Sequence, residues 1–317
     1  MGKVWAGVDI GGTKVAIALV DERGKVVSEE TIPTEVEKGP DHTAANINAV
    51  LEKLFEKSGH EVQGIGIGSP GPLNANKGLI LKPSNLPTWI DYPIVEKVKN
   101  RFPSMPVSLG NDADLAGLGE YLFSLEGDHP YAAYVTVSTG VGGGIISNGR
   151  LHTGASSSAA EFGHMIFEKD GPLCGCGRNG CVETFSSGTG IANRMTEQVL
   201  QDENHPLFEL ARTNQLSAKE VFAAFDEDDP LARQVIEKAE DALAITLANV
   251  ITALNPSVFI IGGGVALGQP RYIEAVKAKV GLYAMEENVE AVTFVQAKLG
   301  SNVGVIGAAA LAMEDRY

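Results

Sequence analysis

His164 is followed by Cys174-Gly-Cys176-Gly-Arg-Asn-Gly-Cys181, a segment that holds every cysteine of the chain. Three thiolates and one imidazole make a complete tetrahedral donor set for Zn²⁺, and soft sulfur favours that ion over hard cations. Four protein donors leave no position for water, so the metal reads as structural rather than catalytic. The intervening glycines let the backbone wrap an ion at short range. A disulfide is the competing reading. Cys174 and Cys176 are poorly placed to bridge, and an odd cysteine count suits a reducing compartment. Glu161 and Glu183 flank the set, so a metal bound there would fasten two carboxylates. The other histidines, His42, His60, His129, His152 and His205, stand in polar or turn-like surroundings and read as surface residues.

Glycine-rich turns supply the second chemistry. Residues 3–20 read as an apolar strand, a Gly11-Gly12-Thr13 turn and a second apolar strand, which is a hairpin pattern. Residues 131–150 repeat it around Ser138-Thr139-Gly140. Hydroxyls and bare glycine amides at such a tip can approach phosphate oxygens that a side chain would block. A third cluster, Gly262-Gly263-Gly264-Val265, follows the apolar run Val258–Ile261 and would let a nucleotide come close. No Gly-x-x-x-x-Gly-Lys phosphate loop or Gly-x-Gly-x-x-Gly fingerprint opens a βαβ unit, which disfavours those nucleotide folds.

These turns sit in an alternating chain. The pattern predicts helices over 41–58, 93–102, 112–123, 188–201, 217–226, 230–254, 271–284 and 304–315. Buried strands are expected at 62–68, 106–110 and 290–296. Ser217-Ala-Lys-Glu220 fits a capping box, and Asp226-Glu-Asp-Asp229-Pro230 should end one helix and cap the next. Two hairpins about 125–130 positions apart suggest two α/β domains of common architecture facing across a cleft. The expected division is a small domain of residues 1–118 completed by the last helix (304–317), and a larger one of residues 119–303 carrying the zinc site.

With 317 residues, 44% of them hydrophobic and 21% charged, the chain has material for two cores. A formal charge of −15 opposes a nucleic-acid surface, which needs a basic stripe. No apolar run reaches the ~20 residues of a membrane span, and Met1-Gly-Lys leads straight into a strand with no leader pattern. A cytoplasmic protein without nucleic-acid or membrane partners is expected.

The hairpin with Asp9, the Asn111-Asp112 pair and Glu161-Phe-Gly-His164 with the three cysteines and Glu183 resemble the ROK family of sugar kinases. The resemblance spans nearly the whole chain, and the bacterial glucokinases are the most similar subgroup. It implies a two-domain actin-like (ribonuclease H-like) sugar kinase fold with an interdomain cleft. It also implies ATP-dependent transfer of the γ-phosphoryl group to the 6-hydroxyl of a hexose, glucose first, with mannose, fructose or an N-acetylated hexosamine as alternatives. A catalytically silent sugar sensor is the other reading, but it would be expected to lose the acceptor Asp or a phosphate hairpin. Repressors of the family carry an added N-terminal helix-turn-helix, for which a hairpin starting at residue 3 leaves no room. A homodimer or homotetramer is implied as well.

Within that resemblance Asp112, at the end of the strand ending at Gly110, receives the proton of the attacking hydroxyl. An ordinary carboxylate near ~3.9 is ionised for that role. The competing reading is a helix N-cap, with Asp114 as a first-turn helix acid. Asn85, Asn111, Asp112, Glu161, His164 and Glu183 match the family's sugar contacts, His164 using one ring nitrogen for zinc and the other for the sugar. Gly11, Gly12, Thr13, Thr139 and Gly140 would meet phosphate, and Asp9 would hold Mg²⁺ through water. Lys14 faces either phosphate or solvent, and Gly263, Gly264 and Val265 would line the adenosine pocket. Ser156-Ser-Ser158-Ala-Ala precedes Glu161 where a more glycine-rich approach is expected.

Overall fold

Lys3–Ile10 (β1) and Lys14–Asp21 (β2) are buried at most positions, and the Gly11-Gly12-Thr13 turn folds them into an antiparallel hairpin. Val26–Pro33 (β3) adds a third antiparallel strand with alternating exposure. Pro40–Ser58 (α1) then crosses to Glu61–Ser69 (β4), which pairs parallel with β1 and sets Asp9 beside Gly68. A short ribbon of Leu73–Asn74 (β5) and Leu79–Ile80 (β6) precedes Ile94–Arg101 (α2). Val107–Asn111 (β7) joins β4 in parallel and runs directly into Asp112–Phe123 (α3). The sheet order is β3-β2-β1-β4-β7.

A second five-stranded sheet repeats that order with later strands. It is built from Tyr131–Val137 (β8), Val141–Ser147 (β9), Arg150–Leu151 (β10), Val258–Gly262 (β11) and Thr293–Gln296 (β12), arranged β10-β9-β8-β11-β12. Between β10 and β11 lie Glu183–Ser186 (α4), Gly188–Val199 (α5), Phe208–Arg212 (α6), Ala218–Asp226 (α7) and Pro230–Leu254 (α8). Gly264–Gly268 (α9), Pro270–Val280 (α10), Glu286–Ala291 (α11) and Val303–Met313 (α12) complete the chain. This computed structural model describes residues 2–313, so the end of the helix expected over 304–315 lies outside them.

Two compact units result. One gathers Met1–Ala132, Gly144–Ala160 and Ala297–Tyr317; the other gathers Ala133–Gly143 and Glu161–Gln296. In the first unit the sheet is packed on both faces. Ile47, Leu51, Ile94 and Val98 of α1 and α2 cover one side. Val305, Ile306 and Ala309 of α12 cover the other, against Trp5, Ala18 and Val20. There α12 lies backbone to backbone: a Cβ at Gly7 would overlap the carbonyl of Val305, and one at Gly66 that of Ala308. The neighbouring α3 crosses as closely, since a Cβ at Gly307 would strike the carbonyl of Leu115.

In the second unit α8 buries Val235, Ile236, Ala239, Leu243, Leu247 and Val250, the helical stripe its sequence predicts. The capping box at Ser217 forms, with Glu220 accepting from the Ser217 N–H. Asp226 ends α7, and Asp229 caps α8 by accepting from Ala232. Three expectations fail. The strand predicted over 290–296 begins only at Thr293, because Glu286 and Glu287 favour the first turn of a helix that extends to Ala291. The helix predicted over 271–284 stops at Val280, where Gly281 follows. His205 is not a surface residue: its side chain is 7% exposed, with Nε2 3.0 Å from Asp229 Oδ2 and Nδ1 accepting from Leu207. Among the described residues no helix is long and apolar enough to cross a membrane.

Candidate active site

In the first unit the β1–β2 tip is tightly tied. Gly11 N–H donates to Lys14 O at 2.9 Å, Thr34 N–H donates to Thr13 O, and Thr34 Oγ1 donates to Gly11 O at 2.7 Å. The Gly11 amide expected to meet phosphate is therefore consumed inside the turn, leaving Gly12 and Thr13 as the groups at the tip. Asn85 packs on this turn: a Cβ at Gly12 would come 3.1 Å from both its Cβ and its carbonyl oxygen.

Asn111 and Asp112 divide the work at the β7–α3 junction. Asn111 is the N-cap, its Oδ1 accepting from Ala113 N at 2.9 Å and from Asp114 N at 3.3 Å. Asp112 is the first residue of the helix and need not cap it, although its Oδ1 also accepts from Ala113 N at 2.8 Å. The amide oxygen of Asn111 is thus committed to the cap, and its NH₂ is what remains for a ligand. Asp114 is a first-turn acid, as expected, but it is buried rather than solvated.

Asp112 does not keep an ordinary carboxylate pKa. Desolvation raises it, with the Ala113 N–H opposing. Asp9 is raised to about 6, first by burial and then by the charge of Asp112, with Lys14 pulling the other way. Two mutually repelling carboxylates are the environment a hydrated divalent cation relieves, so the residues fit Mg²⁺. Gly304 makes room for this arrangement: a Cβ there would overlap the Asp9 carboxyl.

A folded-state pKa above the unfolded one means stability that is present at low pH and lost as pH rises through about 6. The rise of about two units has a ceiling of ~3 kcal/mol, reduced by solvent at a partly exposed side chain. Asp9→Asn is therefore expected to raise the metal-free thermal midpoint near pH ~8 and to leave it nearly unchanged near pH ~4. A lower midpoint at the alkaline end would contradict the assignment.

In the second unit the β8–β9 tip is docked on the start of α5. Gly188 N–H donates to Ser138 O at 2.8 Å, Thr189 N–H donates to Thr139 O, and Ser138 N–H donates to Gly140 O. Gly263 has φ 95°, and a Cβ there would overlap the backbone of Val137, so only glycine fits between β11 and α9. A Cβ at Gly188 would lie 3.2 Å from Val265. Thr139, Gly140, Gly263, Gly264 and Val265 thus converge on one cradle of backbone groups.

The four soft donors come together. Nδ1 of His164 and the sulfurs of Cys174, Cys176 and Cys181 all lie within 4.8 Å of one another. His164 Nδ1 is 3.6 Å from Cys174 Sγ, and the Cys176 and Cys181 sulfurs are 3.5 Å apart with all three thiols unbridged. Those separations fit a tetrahedral zinc whose Zn–S bonds are ~2.3 Å. Burial raises the Cys174 thiol and pushes Cys181 up to about 12. At Cys176 desolvation is outweighed by the Arg178 N–H and the neighbouring thiols. Gly180, at φ 74°, lets the loop close, because a Cβ there would overlap the carbonyl of Glu168. Val182 and Phe185 pack this segment on Ala242 of α8.

The other face of the imidazole points to an acid: His164 Nε2 is 3.9 Å from Glu161 Oε2. Glu183 Oε1 lies 3.9 Å from Cys174 Sγ, while its Oε2 accepts the Val141 N–H at 3.0 Å. Sequence reasoning missed Thr34, Gly188 and Gly304, which shape the two tips or Asp9. The only signal for Gly188 and Gly304 was their type; Thr34 had none. A cavity of about 440 Å³ lined by Glu168, Arg194 and Lys238 contains none of the candidate residues.

Comparison with known proteins identifies the family. A model of the ROK family matches residues 5–315. The chain is 34% identical over 308 residues to a glucokinase of Halalkalibacterium halodurans, covering 96% of this chain and 93% of the relative. It is 33% identical over 309 residues to an N-acetylmannosamine kinase of Escherichia coli, covering 98% of each. A ROK family glucokinase from Streptomyces griseus, solved in complex with glucose and AMPPNP, superposes with a TM-score of 0.76. It is 30% identical, over 98% of this chain and 99% of that one. The two α/β units have the actin-like fold of such sugar kinases, and the chain belongs to the ROK family.

Proposed function

We propose that the protein is an ATP-dependent glucokinase, transferring the γ-phosphoryl group to the 6-hydroxyl of glucose. The observation that carries this reading is the Asp9–Asp112 pair: two interacting carboxylates beside a glycine hairpin, one at the start of a helix that its neighbour already caps. Asp112 receives the proton of the attacking hydroxyl, and desolvation strengthens it as a base. The Asn111 NH₂, Asn85, Glu161, Glu183 and His164 Nε2 provide donors and acceptors for sugar hydroxyls. Gly12 and Thr13 at the β1–β2 tip, and Thr139 and Gly140 at the β8–β9 tip, offer groups to phosphate, while Gly263, Gly264 and Val265 receive the adenosine.

Mg²⁺ held near Asp9 through water would neutralise phosphate charge. Zn²⁺ on His164, Cys174, Cys176 and Cys181 would fix the imidazole and the glutamate next to it, and Asp112 does its work without contact to that ion. The kinship with glucokinases and the glucose complex of the Streptomyces griseus enzyme support glucose as the acceptor. The Escherichia coli relative favours a second reading, an N-acetylated hexosamine.

A coupled ATP assay across glucose, mannose, fructose, N-acetylglucosamine and N-acetylmannosamine decides between them. Glucose is expected to have the highest kcat/KM. Preference for an N-acetylated sugar moves the protein to the second reading, and no turnover with any hexose removes the kinase assignment.

A further inference from the structure

Glu183 has more to do than a sugar ligand requires. It starts α4 two residues after the last cysteine, and its backbone is held there: its carbonyl accepts from Ser187, and a Cβ at Gly190 would overlap it. The side chain then reaches away from α4 to the β8–β9 tip. Oε2 accepts the Val141 N–H at 3.0 Å, and a Cβ at Gly140 would come 2.5 Å from that same oxygen. The second oxygen faces Cys174 Sγ at 3.9 Å. One carboxylate therefore joins the cysteine segment to the turn whose amides face phosphate.

We infer that Glu183 is a positioning residue for the nucleotide-binding turn Thr139-Gly140-Val141, in addition to its part in sugar binding. The inference rests on the kinase reading above, and the physical argument is short. A hydrogen bond from a backbone N–H to a carboxylate is charge-assisted and stronger than a neutral one. Removing the acceptor leaves the half-buried Val141 N–H without its partner and frees the tip to move. Because the same carboxylate meets the sugar, the two ligands are coupled through it, and coupling of binding is reciprocal. A Cβ at Gly140 would push on the Glu183 carboxylate, an effect separate from access to phosphate.

The test measures binding of a non-hydrolysable ATP analogue to the zinc-loaded full chain without sugar, by calorimetry, with zinc content checked for each variant. Glu183→Ala is expected to weaken analogue binding by about 10- to 150-fold, the range of a lost hydrogen bond to a charged acceptor. Glu183→Gln keeps an oxygen for Val141 and is expected to lose clearly less analogue affinity than Glu183→Ala, while sugar affinity falls. Gly140→Ala, which pushes on Oε2, is expected to raise the KM for glucose as well as for ATP. The amide resonance of Val141 should move upfield in the alanine variant and not in the glutamine one.

Unchanged analogue affinity in Glu183→Ala, or equal losses in the alanine and glutamine variants, overturns the inference. If Glu183→Ala does not fold, Gly140→Ala alone decides: a KM for glucose equal to wild type overturns it. Failure of the wild-type chain to bind the analogue at all would instead remove the kinase reading beneath it.

Discussion

Asp112→Asn is expected to leave the fold intact and to lower kcat for hexose phosphorylation by about 10²–10⁴-fold, the usual contribution of a positioned base. The fold should survive because Asn111, not Asp112, caps α3, and an asparagine oxygen can still accept from Ala113. The KM for glucose should change far less than kcat, since the amide retains a hydrogen-bonding shape. A second readout separates a lost base from a distorted site. Asp9 is raised to about 6 in part by the charge of Asp112, so removing that charge should lower the Asp9 pKa. Carbon NMR of the Asp9 carboxyl in the metal-free protein follows that shift directly. In the wild type, activity should fall on acidification as Asp112 takes up a proton, at a pH above the ordinary carboxylate range because desolvation raises its pKa. Turnover near wild type in Asp112→Asn would remove it as the base.

Cys176→Ser should have the largest effect on stability. One ligand of four is lost, and serine is a poor partner for zinc. Structural zinc contributes ~10–16 kcal/mol in small peptides, where the metal supplies the fold outright. Here the ends of the segment are also held by Val182 and Phe185 packing on α8, so the loss should be smaller and still readily visible in the thermal midpoint. Zinc measured by elemental analysis should fall below one equivalent, and the KM for glucose should rise as His164 and Glu183 lose their anchor. A variant with full zinc content and an unchanged midpoint would contradict a metal role for this cluster. Dialysis of the wild type against a strong chelator should reproduce the same changes, reversed by added Zn²⁺.

What the sequence made legible was local. The donor set of four spans few residues, so type and spacing sufficed to bring it together. The hairpins, the α8 stripe and the Ser217 capping box likewise depend on neighbours within one or two turns. Illegible were contacts made by distant segments. Thr34 closes the first glycine turn from 23 residues away, and nothing in its surroundings marks it. The third strand, Val26–Pro33, alternates half-buried and exposed residues at the sheet edge and lacks the apolar run that betrays an interior strand.

Functional groups showed the same limit. Asn111 and Asp112 were visible as a pair, yet which of them caps the helix depends on backbone angles that composition does not reveal. Asp112 has a raised pKa because tertiary packing desolvates it, which no model-compound value anticipates. Ser157 and Ala160, at φ 58° and 57°, occupy backbone that favours glycine, so the departure noted before Glu161 is accommodated at some strain. Ser157 is fixed there by accepting from Ala75 N–H.

The close seating of α12 on β1, β4 and α3 has a consequence for biosynthesis. A ribosome adds ~5–20 residues each second, and the sheet that starts with residue 3 acquires the cover for its Trp5 face only when residues 303–313 emerge. Until then that face is open to water and to other nascent chains. Residues 161–296 form one uninterrupted run and have no such wait. Slowed translation over the codons for residues 303–313 should therefore prolong the demand for chaperones by the first-made half of the molecule.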